Sequence, residues 1–87
     1  MSSNAKYIST ATTTVVRTGA AKLHRIVLGE TAAGTITIYD GIDTGGTVLA
    51  VLKASIVEGT YDFDDVRCIT GITVVTAAAS KLTVVYE

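Results

Sequence analysis

Residues 35–39 alternate strictly, with Ile36 and Ile38 on one side and Thr35, Thr37 and Tyr39 on the other. That period of two marks a half-buried β-strand. The same reading, with turn signals at intervals of about ten residues, predicts strands over 13–17, 22–28, 47–54, 60–63, 72–76 and 82–86, with 66–69 as a further candidate. In 22–28 the apolar positions Leu23, Ile26 and Leu28 slip phase midway, which predicts either a bulge or burial on both faces. "GETAAG" (29–34), "DGIDTGG" (40–46) and "AAAS" (77–80) read as turns. Val and Thr are common in the predicted strands and suit a pleated surface better than a helix. Seven or eight short strands predict an all-β fold, a single antiparallel β-sandwich of jelly-roll-like type. The polar residues 1–12 read as an N-terminal arm and 13–87 as the sandwich domain.

Composition narrows this picture. Eighty-seven residues suffice for one core and not two. A single cysteine, Cys68, rules out an intrachain disulfide, so stability must come from packing or from association. The 48% hydrophobic content is high for so small a chain and leads us to expect a homo-oligomer, a dimer or trimer. Seven basic and eight acidic residues, net charge −1, form no basic stripe for nucleic acid. No apolar run reaches the roughly 18 residues of a membrane helix, and the start "MSSNAKYISTATTT" lacks the pattern of a signal peptide. Synthesis in a cytoplasm, without membrane or nucleic-acid partners, is the expectation.

One triplet could carry chemistry. Asp43-Thr44-Gly45 matches the motif of retroviral-type aspartic proteases, in which two short β-rich chains each supply one carboxylate of a shared-proton dyad. The motif there follows an apolar strand. Here Asp40-Gly41-Ile42 precedes it, Gly46 replaces the small side chain expected after it, and Ile69-Thr70-Gly71 is a poor brace. The competing reading is a loop in which Asp40-Gly41 turns the chain, Asp43 caps a bend and Gly45-Gly46 lets it return through positive φ. Asp40, Asp43, Asp62, Asp64 and Asp65 raise the question of calcium, but their spacing is unlike that of a calcium loop. His24 stands alone and needs partners that sequence cannot place. Cys68 reads as a small buried hydrophobe. Five aromatics without tryptophan give little basis for sugar stacking. No catalytic, cofactor or metal residues are assigned, and the chain is expected not to be an enzyme.

Two stretches carry a resemblance. "LHRIVLGETAAGTITIYDGIDTGGTVLAVLKA" followed by "YDFDDVRCITGITVVTAAASKLTVVYE" resembles the small β-sandwich structural proteins of tailed bacteriophages. The likeness spans residues 20–87, through the "TITIYDG" strand and turn, the "GTVLA" strand, the aromatic step at Phe63, the "GITV" strand and the closing "LTVVY" strand. It implies a structural component of the virion. The expected role is a capsid decoration (cement) protein that oligomerises on the major capsid protein and stabilises the shell by surface burial. A neck or tail component is the alternative, and a dimeric protease using Asp43 a more distant one. No residue matches a capsid-contact motif, so no binding residues are carried over. On this reading the arm would order on a partner, or else fray as an ordinary terminus.

Overall fold

Alternating Ile, Val and Thr positions pair into eight strands in the computed structural model, which describes residues 4–87. They are β1 (Asn4–Ile8), β2 (Thr13–Thr18), β3 (Ala21–Glu30), β4 (Ile36–Asp40), β5 (Thr47–Leu52), β6 (Gly59–Cys68), β7 (Gly71–Thr76) and β8 (Lys81–Tyr86). Two four-stranded sheets form, ordered β1-β8-β3-β6 and β2-β7-β4-β5, and every ladder is antiparallel. This is the strand order of a jelly roll, and the expected all-β sandwich is the fold found.

The order follows from one nested pairing. Ile36 faces Leu52, Leu23 faces Val66, Val15 faces Thr73 and Ile8 faces Leu82. The chain is thus one long hairpin with residues 41–46 at its tip, rolled up until β3 meets β8 and β4 meets β7. Rolling turns one side of each strand inward. Leu23, Ile26 and Leu28 of β3, Ile36 and Ile38 of β4, Ile72 and Val74 of β7 and Leu82 and Val84 of β8 are almost wholly removed from water. The total accessible surface is 4573 Å², close to the roughly 4,900 Å² of a folded monomer of this mass. The core is therefore closed within one copy, and any association would join finished surfaces.

The buried hydroxyls tie the connections together at one end of the sandwich. Thr76 Oγ1 donates to Thr10 O at 2.6 Å and accepts from the Thr12 amide at 3.1 Å, holding the β1–β2 connection. Ser80 Oγ accepts from the Ala32 amide at 3.0 Å, joining the β3–β4 and β7–β8 connections. At the opposite end Thr73 Oγ1 donates to Gly41 O at 2.8 Å. Each buried hydroxyl is satisfied, as a dry interior requires.

Three features depart from the sequence expectations. Residues 4–8, read as part of an arm, form β1 against β8. Only Ile8 of that strand is buried, so an edge strand with one inward side chain shows no alternation to read. Residues 1–3 of the arm lie outside the described residues. The segments 60–63 and 66–69, up to Cys68, belong to one strand, β6, interrupted where Asp64 and Asp65 take φ of 52° and 56°, a left-handed conformation that Asp tolerates. The strand expected over 47–54 ends at Leu52. The phase slip in β3 is a bulge against β8, since Leu23 faces Tyr86 and Arg25 faces Val85, leaving His24 as the extra residue; on the other side β6 bulges instead, with residues 63–65 opposite His24.

Ile38, with no exposed surface, tests this core. Ile38→Ala should lower the unfolding free energy by about 2–5 kcal/mol. Val57→Ala, at a loop position 74% exposed, should change it by less than about 0.5 kcal/mol. Urea titrations with unchanged slope would check both values.

Candidate functional site

The tip of the rolled hairpin holds the Asp-Thr-Gly triplet. Asp43 is exposed, and its Oδ1 accepts from the Gly45 amide at 2.8 Å, the geometry of a side chain bracing its own turn. Gly46 closes the loop by donating to Asp43 O at 3.3 Å. The glycines serve a purpose other than the one expected. None of Gly41, Gly45 and Gly46 has positive φ. Instead a Cβ at Gly46 would lie 2.6 Å from Asp40 O and 3.0 Å from Gly41 Cα, so the two sides of the loop touch backbone to backbone.

Asp40, at the end of β4, is the better-engaged carboxylate. Its oxygens accept from the amides of Ile69 at 3.1 Å, Thr70 at 2.9 Å and Gly71 at 3.4 Å. The Ile69 and Thr70 amides favour the charged form and hold its pKa below the ordinary 3.8, against the smaller opposing effect of partial burial. Asp40 therefore clamps the β6–β7 turn to the loop at the hairpin tip. Cys68 lies beneath it, buried, with its thiol pushed up to about 11 by desolvation and then by the Asp40 charge. Such a thiol is protonated and unreactive near neutrality.

His24 acquires partners that only the three-dimensional bulge could supply. Nδ1 meets Asp65 Oδ1, and Nε2 lies 3.9 Å from Glu87 Oε1. Nε2 is buried without a hydrogen-bond partner. A histidine oriented by a carboxylate is two-thirds of a nucleophilic triad, but among the described residues no hydroxyl or thiol is hydrogen-bonded to Nε2. The ring fills the bulge. The remaining aspartates, Asp62 and Asp64, both lie in β6, Asp62 Oδ1 accepting from the Asp64 amide at 2.7 Å, and no group of three His, Cys, Asp or Glu converges as metal ligands among the described residues.

The two outer faces differ more than any of these side-chain clusters. On the β2-β7-β4-β5 sheet, Ile36 and Ile38 point inward, so Thr37 and Tyr39 point out. Their cross-strand partners complete two rows, Thr13-Val75-Thr37-Val51 and Val15-Thr73-Tyr39-Val48, in which Thr73 has no exposed surface of its own. Neither row contains a charge, and Val15, Val48 and Val51 are 45%, 52% and 57% exposed. On the β1-β8-β3-β6 sheet the corresponding rows are Tyr7-Thr83-Val27-Thr60 and Ala5-Val85-Arg25-Asp62, followed by Lys22 paired with Arg67. Lys22 and Arg67 also line a cleft of about 330 Å³ with Glu87. One face is charged and the other is a Val/Thr/Tyr surface. Sequence reading found the alternation but not this contrast, because the outward residues of four strands become neighbours only once the strand order is known.

No protein-family model, curated protein or solved structure matches the chain.

Asp40→Asn should destabilise the protein by about 1–2 kcal/mol near pH 7, the scale of hydrogen bonds to a charged acceptor. Because the folded carboxyl titrates below its ordinary 3.8, its contribution is complete above that value and disappears as pH falls through the lower folded one. The wild type should therefore lose its advantage over the variant below about pH 4, as thermal melts across pH would show. Cys68 should resist iodoacetamide at pH 8 in the folded protein and react after unfolding in urea, read by intact-mass measurement.

Proposed function

We propose that this chain is a structural protein of a tailed-bacteriophage virion, a decoration protein that binds the assembled capsid shell and stabilises it by covering surface. The observation that carries this reading is the uncharged outer face of the β2-β7-β4-β5 sheet. The resemblance of residues 20–87 to small phage β-sandwich proteins supports it further. A jelly roll by itself leaves function open, since the fold hosts many roles.

Magnitudes favour an oligomer in this role. Four strands at about 4.8 Å spacing, each six residues at about 3.3 Å, present roughly 400 Å². Burying that much apolar surface yields on the order of 10 kcal/mol, against association costs of about 4–15 kcal/mol. One copy would hold a capsid weakly. Several copies joined together and matched to the symmetry of the shell would gain by effective concentration, with no additional contact per copy.

Cosedimentation with assembled capsids tests the reading. Val15→Lys and Thr37→Glu, both on the uncharged face, should weaken binding at least about tenfold, roughly 1.4 kcal/mol. Thr60→Lys, on the opposite sheet, should leave it unchanged. Loss of binding in the Thr60 variant alone, or no capsid binding by the wild type, would overturn the assignment. Electron microscopy that places the protein on the neck or tail would replace decoration by that alternative.

A further inference from the structure

A jelly roll leaves four edge strands, and a bare edge offers a row of unpaired amides and carbonyls to any other strand. Three of the four edges here carry charge. β1 has Lys6, β2 has Arg17 next to a register shift, and β6 has Asp62, Asp64, Asp65 and Arg67. β5, with sequence TVLAVL, has none. Its ladder runs to β4 on one side, and among the described residues no other hydrogen bond reaches residues 47–52. An open edge without the usual protective charge needs an explanation.

We infer that β5 is a self-association edge, at which two copies pair antiparallel about a two-fold axis to form a continuous eight-stranded sheet. The residue pattern fits self-pairing. An extra residue in β5, Leu49, shifts the register between Ile38–Ala50 and Tyr39–Val48. Val48 and Val51 consequently share the outer face, opposite Tyr39 and Thr37, while Leu49 and Ala50 between them are half-buried. With the two-fold between Leu49 and Ala50, Val48 of one copy lies beside Val51 of the other, and Thr47 beside Leu52. Every pair keeps like faces together, as period-two geometry demands. An isologous contact repeats each of its pairs, so a charge on the edge would meet its own kind twice, and β5 avoids that cost. β1, β2 and β6 placed against their own copies would each bring charged side chains into the contact. Antiparallel addition at a sheet edge takes its affinity from main-chain hydrogen bonds and its specificity from alternate side chains. The β5 interface deepens the oligomer in the decoration reading and forms without any capsid, so the two can fail separately.

Analytical ultracentrifugation of the full chain provides the test. The wild type should sediment as a dimer or as a larger assembly built on that dimer at about 0.1 mM, with a Kd at or below the micromolar range. The paired substitutions Val48→Lys with Val51→Lys should raise Kd at least about tenfold, because two Lys–Lys pairs now face each other across the axis. Val48→Glu with Val51→Glu should do the same. Both positions are more than half exposed, and circular dichroism would verify that each variant is folded. Mixing the Lys and Glu proteins should restore association as a heterodimer, a result that misfolding cannot imitate. A wild type that stays monomeric at about 0.1 mM overturns the proposal, as does undiminished association of the folded Lys variant, or a mixture that remains monomeric.

Discussion

Pairing Ile36 with Leu52 commits the chain to pairing Leu23 with Val66 and Ile8 with Leu82, because each antiparallel register continues the one nested inside it. A slip of one residue at any level would send the inward set of that strand to solvent. The inner pairs close short loops, whereas Ile8 and Leu82 meet only when nearly the whole chain has been rolled. Such distant contacts are slow to form, and the loop entropy for the outer strands is recovered only when the core is almost complete. The same nesting places the two ends of the described chain side by side in one sheet, Asn4 facing Tyr86, and on the other side of β8 the Lys22 amide donates to Glu87 O at 2.9 Å and the Glu87 amide returns the bond at 2.8 Å.

A perfect nest would be too regular to roll. Register shifts at Val16, His24 and Leu49, together with the left-handed pair Asp64-Asp65, take up the twist that two stacked sheets impose. The shift at His24 was legible, because Leu23, Ile26 and Leu28 cannot all face inward on an unbroken strand. The shift at Leu49 was not, because 47–52 is apolar on both parities. β4, with its strict alternation, was readable almost residue by residue. β1 was invisible for the opposite reason: its stability comes from β8 and from Ile8 alone, so propensity and pattern had nothing to report.

The polar residues show a similar division. The local engagement of Asp43 by Gly45 follows from turn chemistry two residues away and could be foreseen. Asp40 reaching Ile69, Thr70 and Gly71, and His24 reaching Asp65, join segments about 30 to 40 positions apart and had no signal in the sequence. Glycine at 46 was correctly placed in a turn for an incorrect reason, since two backbones in contact exclude a Cβ as effectively as positive φ favours its absence. Asp40 and Asp43 sit at the end of the sandwich that holds the hairpin tip, where the strands run out and backbone groups would otherwise lack partners, whereas His24 and Asp65 meet within β3 and β6 at the bulge.

What the rolling leaves outside is as informative as what it buries. Alternation requires that every inward Ile or Val have an outward neighbour, and on the β1-β8-β3-β6 sheet those neighbours include Arg25, Asp62, Lys22 and Arg67. On the other sheet they are Thr, Val and Tyr, and the same sheet ends at the one uncharged edge. The two properties share residues, since Val48 and Val51 belong both to the flat face and to its rim. A single face of roughly 400 Å² lies below the approximately 800 Å² that each partner contributes to a stable interface of ordinary size. Two such faces joined edge to edge along β5 would form one continuous, twisted surface whose area reaches it. An uncharged rim and an uncharged face on the same sheet make physical sense together, because pairing at the rim is what would make the face large enough to hold anything.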